Sequence, residues 1–127
     1  MTLRIPLQTA TTPSMALLSL QSAVAAARGE LNNASSTLVA CVLPLAGDPA
    51  KLAAFEGQDW AMRSIRVEVD VIASQPGALL IFRAQPPLNY YISSMKLDEG
   101  TLSRFVTTVG QTIESARKGH RPPDSLP

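Results

Sequence analysis

Between Ile65 and Ala73 the chain reads IRVEVDVIA, setting apolar Ile65, Val67, Val69 and Val71 against charged Arg66, Glu68 and Asp70. A strict period of two marks a strand with one buried and one wet face. Gln75-Pro76-Gly77-Ala78 follows, with Pro second and Gly third. That order is the signature of a type II turn, whose third residue needs a positive φ. An apolar run, Ala78–Ala84, comes next. The three pieces predict a β-hairpin pairing 65–73 with 78–84. A hairpin with one apolar face must bury that face against a second layer, and the rest of the chain has to supply it.

Leu3, Ile5 and Leu7 alternate around Pro6, which predicts a short edge strand, because Pro removes a ladder donor. Thr12 can cap a helix and Pro13 suits its first turn. Leu17, Leu20, Val24, Ala27 and Leu31 then fall on one stripe, so the helix is expected over 13–31, ending in a left-handed turn at Asn32-Asn33. Its Ala-rich middle lets a neighbour approach closely. Residues 14–29 also end in small residues as a signal peptide does, but Ser19, Gln21 and Ser22 interrupt the apolar run and only Arg4 precedes it as a cation.

The run TLVACVLPL around Cys41 is apolar on both faces and predicts a central, doubly covered strand ending at Pro44. Asp48, Pro49, Leu52 and Phe55 predict a two-turn helix stopped near Gly57. Tyr90, Ile92 and Ser94 alternate with Tyr91, Ser93 and Met95, which predicts another edge strand. Asp98 is then expected to cap a last helix carrying Leu102, Phe105, Val106, Val109, Ile113 and Ala116. Gly110 inside it costs about 1 kcal/mol against Ala, which points to close packing there. Gly119 is expected to end it. The predicted order is (β)αβαβββα, a single α+β domain over 1–119 with a mainly antiparallel sheet and helices packed on one face. Residues 120–127, HRPPDSLP, are expected to form a flexible Pro-rich tail.

The chain has 127 residues, enough for one domain with its own core, and eleven basic against ten acidic side chains give a net charge of +1. No basic stripe of the kind nucleic acid requires is present, since Arg117, Lys118 and Arg121 cluster only at a helix end. One Cys and one His, Cys41 and His120, allow no disulfide and no zinc set, and they are too far apart in sequence to argue for a nucleophile and base. Gly-rich phosphate loops are absent. No metal and no cofactor are therefore expected. No apolar run reaches the ~18 residues of a membrane span. A lone thiol and a weak leader pattern favour a cytoplasmic location.

Glu68 and Asp70 share a strand face at ~7 Å, a spacing that catalytic carboxylates also show. Arg66 beside them, and Arg83 if the hairpin register allows, offer cationic partners, so the row reads as the solvated side of a sheet. Trp60, Tyr90, Tyr91 and Ile92 are the candidate protein-binding residues. Trp and Tyr anchor protein contacts, and an edge strand pairs readily with another chain.

The stretch 78–119, from ALLIFRAQPPL through NYYISSMKLD to the helix with Leu102 and Phe105-Val106, resembles the C-terminal part of small bacterial type III secretion chaperones. That resemblance implies a dimer that holds another protein. Together these features predict a non-enzymatic protein-binding module, a homodimeric adaptor or chaperone-like protein. The alternatives are a structural subunit of a secretion machine or phage particle and a small enzyme using Glu68, Asp70 or a Tyr.

Overall fold

β3 and β4 alternate buried and more open side chains, as the period of two at residues 65–73 requires. The computed structural model describes residues 3–45, 64–85 and 92–119. The elements in chain order are β1 (Leu3–Thr9), α1 (Pro13–Ala26), β2 (Glu30–Ala34), β3 (Leu38–Pro44), β4 (Ser64–Ala73), β5 (Ala78–Gln85) and α2 (Ile92–Gly119). The strands form one sheet in the order β1-β5-β4-β3-β2, antiparallel at every pairing. Both helices lie on the same side: α1 over β2, β3 and β4, and α2 over β1 and β5. The fold is the expected α+β class. Its element order differs from the expected one.

Three local readings change. Helix α1 stops at Ala26 instead of Leu31, because Arg28 takes a left-handed φ of 60° and Gly29 donates its N–H back to the Val24 carbonyl at 2.9 Å. A Cβ on Gly29 would stand 2.7 Å from the Val42 carbonyl oxygen, so only Gly lets the chain press this close to the backbone of β3. Residues 30–34 then form β2, where all five side chains are exposed and the ladder is bulged between Leu31 and Asn33. With no buried face, β2 carries no apolar alternation for a sequence to display. The expected turn at Asn32-Asn33 is thus strand.

The second change is at the C-terminal side. Ile92–Leu97, expected as an edge strand, is the start of α2, so Asp98 lies inside the helix and not at its cap. Met95 stands seven residues before Leu102 and fourteen before Val109, so a helical period extends upstream through a segment too short to show which period it obeys. The third is the hairpin loop, Ser74–Gly77, in which the Gln75-Pro76 bond is cis. Gly77 has no positive φ. It is needed because a Cβ there would lie 2.5 Å from the Ala10 carbonyl carbon, where the hairpin end meets the β1–α1 junction. The short helix expected at 48–57 lies outside the described residues, as does the tail.

The core lies between sheet and helices. Val39, Cys41 and Leu43 of β3, Ile65, Val67, Val69 and Val71 of β4, and Leu80 and Phe82 of β5 point inward. They meet Ala16, Leu20, Ala23 and Val24 of α1 and Leu102, Phe105, Val109 and Ile113 of α2. The fully buried Ala16 and Ala23 are the small surfaces that let α1 pack closely. Phe82 and Phe105 meet edge to face, with centroids 5.8 Å apart and planes at 82°, a geometry aromatic rings favour.

Gly110, by contrast, makes no close contact, since a Cβ there would meet nothing within 4 Å. The expected packing reason for it is overturned. Gly110→Ala should therefore raise stability by ~0.5–1 kcal/mol, while Gly77→Ala should lower it. Urea unfolding of the two variants reads both signs.

Candidate functional surface

The helix-free side of the sheet is built by the same alternation that builds the core. On β4 the outward positions are Arg66, Glu68, Asp70 and Ile72, and the neighbouring strands contribute Leu79, Ile81 and Arg83 from β5 and Leu38, Ala40 and Val42 from β3. The hairpin register sets Arg83 directly opposite Glu68 and Ile81 opposite Asp70. Arg4, Pro6 and Gln8 of β1 extend these rows at one edge.

Arg83 does not choose the carboxylate facing it. Its Nε and Nη2 each donate at 3.1 Å to the diagonal Asp70, one to each oxygen, while Glu68 sits 3.9 Å from Nη1. The bidentate fork explains the preference, because two parallel N–H donors match one carboxylate. The diagonal reach carries the guanidinium past Ile81, which is only 6% exposed although it lies outside the main core. With the side chains of Arg83 and Asp70 each about a third open to solvent, the pair is worth less than ~1 kcal/mol. Both acids converge on a cation, which leaves Glu68 and Asp70 arranged as an ion cluster and not around a cavity. The hollow between β1 and α2, about 340 Å³ in volume, is lined by other residues, Leu7, Gly110 and Ile113 among them.

Around the cluster the face is aliphatic. Ile72 is 46% exposed, and Leu79, Leu38, Ala40 and Val42 are half-buried, with no described element lying over them. The run TLVACVLPL was expected to be covered on both faces. Among the described residues, helices cover β3 on one side only, and its half-buried outward residues belong to this surface. The two sheet edges are both blunted. β1 carries Pro6, and β2 is short and bulged.

Of the candidate binding residues, Trp60, Tyr90 and Tyr91 lie outside the described residues, and Ile92 opens α2, so it belongs to no strand edge. The surface that sequence reasoning missed is the one with Ile72, Leu79 and Leu38. Its signal was present: the polar row of β4 ends in Ile72, and β5 is apolar at successive positions where a half-wet strand should alternate.

Cys41 is fully buried among the core valines, and burial pushes its thiol up to about 12. A thiolate nucleophile is not available there. Among the described residues no group of three His, Cys, Asp or Glu side chains comes together as a metal site, and no described helix is long and apolar enough to cross a membrane.

No protein-family model matches the chain, and no curated protein matches it. Its architecture is shared with solved structures. Protein MLL2253 from Mesorhizobium loti aligns with a TM-score of 0.62 at 11% identity, over 96% of this chain and 100% of that one. TTHA0849 from Thermus thermophilus aligns with a TM-score of 0.54 at 8% identity, over 91% of this chain and 99% of that one. The likeness runs nearly end to end and defines the class as an α+β fold with one antiparallel sheet and helices on one face.

The thiol carries a sign that can be measured. The unfolded chain ionises Cys41 near 9, whereas the folded chain holds the proton to about 12. Folding stability from this group is therefore complete below pH ~9 and lost as pH rises toward 12. Wild type should lose more stability than Cys41→Ala across that window, measured by urea unfolding at matched pH.

Proposed function

We propose that this protein is a non-enzymatic protein-binding module, a cytoplasmic adaptor or chaperone-like protein, and that its contact surface is the open face of the sheet. One observation carries the reading. Ile72 stands nearly half exposed beside half-buried Leu79 on a face that no described element covers. Exposed aliphatic side chains grouped around charges on one sheet face have the character of a protein contact, whereas a single exposed apolar side chain such as Leu18 on α1 needs no explanation. The acids a small enzyme would use are engaged by Arg83, which favours binding over acid–base chemistry.

A photo-crosslinking residue placed at position 72 and activated in the native cell tests this. It should give discrete adducts with protein, and the same residue at Leu18 should not. The opposite pattern, with adducts from 18 and none from 72, would overturn the reading.

A further inference from the structure

Resting on that reading of the open face, we infer that its occupant is a second copy of this chain, packed sheet against sheet about a two-fold axis that runs along the strands between β4 and β5. The Glu68/Arg83 and Ile72/Leu79 rows match themselves under that operation, while Asp70, held by its own Arg83, lies against the second copy's Ile81. The axis exchanges the β4 and β5 columns while keeping each row, so an outward residue of β4 in one copy meets its own ladder partner from β5 in the other. Glu68 then faces the second copy's Arg83, and Arg83 faces the second copy's Glu68. Ile72 meets Leu79 by the same rule, twice.

The present geometry leaves Glu68 ready for this exchange. At 3.9 Å it is the looser of the two acids on Arg83, and its side chain is 47% exposed. Arg4, opposite Arg83 on β1, has no ion-pair partner among the described residues. Under the same axis β1 overlies β3, so Arg4 meets the second copy's Ala40. Ala40 is small and stands beside that copy's Glu68 on the neighbouring strand.

Area is sufficient. Strands of about seven residues at ~3.4 Å each, side by side at ~4.8 Å, give roughly 500 Å² per copy. Two such faces bury ~1,000 Å² in total, the lower bound for a specific interface. The blunted edges at Pro6 and at the β2 bulge disfavour edge-to-edge pairing between copies.

Mixing complementary charge variants of the full chain tests this pairing. Sedimentation equilibrium of wild type up to about 100 μM, a range that reaches a micromolar Kd, should give twice the 13.5 kDa chain mass. Glu68→Lys alone and Arg83→Glu alone should each be monomeric, since each sets like charges across the axis. An equimolar mixture of the two should recover the dimer, because Lys then meets Glu and Arg meets Glu. Circular dichroism checks that both variants fold. If either does not, Ile72→Asp at an already exposed position must abolish the dimer instead. A monomeric wild type, a mixture that stays monomeric, or a dimer that survives Ile72→Asp overturns the inference. A monomeric wild type that still gives adducts from position 72 with a different protein overturns the second copy as occupant and leaves the proposed function standing.

Discussion

The inward row of β4 is the constraint on which the rest depends. Val67, Val69 and Val71 are buried, and β4 is held on both sides, by β3 and by β5. A shift of one residue in either ladder would carry Glu68 and Asp70 into the core and the valines into water. Burying two unpaired carboxylates is far costlier than any local gain, so the register is unambiguous. Once it is fixed, Arg83 must stand opposite Glu68, Phe82 must point at Phe105, and Ile72 must face outward with Leu79.

The other constraint is close approach at the connections. Gly29 lets the chain leaving α1 turn directly into β2 against Leu43, and Gly77 lets the tip of the β4–β5 hairpin rest on Ala10. These two contacts hold β2 to β3 and the hairpin end to the start of α1. The helices that cover the sheet meet each other as well as the strands, with Ala16 and Ala23 giving α1 a flat side. Among the described residues, the result is a sheet with helices on one side and none on the other.

How far the sequence disclosed this depends on whether a segment's burial has a period. β4 and α2 from Leu102 to Ile113 show theirs plainly, because one face of each is fully buried, whereas in α1 only Leu20 and Val24 of the expected stripe are buried and Ala16, Ser19 and Ala23 complete that face. β2 was invisible because all of it is exposed. Ile92–Leu97 was misread because six residues fit both a period of two and one of 3.6. Gly77 and Gly110 were assigned each other's kind of reason: one was read as a turn residue and proves to be a contact, and the other was read as a contact and is open. The candidate surface was the least legible part. The acids on it stand out in the sequence because they alternate with the buried valines. Its aliphatic members looked like core, since β3 is apolar on both faces and β5 is so from Leu79 to Phe82, and a sequence does not say which face is covered.

Labelling across β4 tests most directly whether that face is open. Single cysteines placed in turn at 65 through 72, in a chain whose own Cys41 is buried, can be titrated with a thiol reagent at dilution low enough to keep copies apart. Positions 66, 68, 70 and 72 should react readily and 65, 67, 69 and 71 should resist. If 68 and 72 are as protected as 67 and 69 in the dilute chain, the chain covers this face with its own residues and the proposed contact surface does not exist.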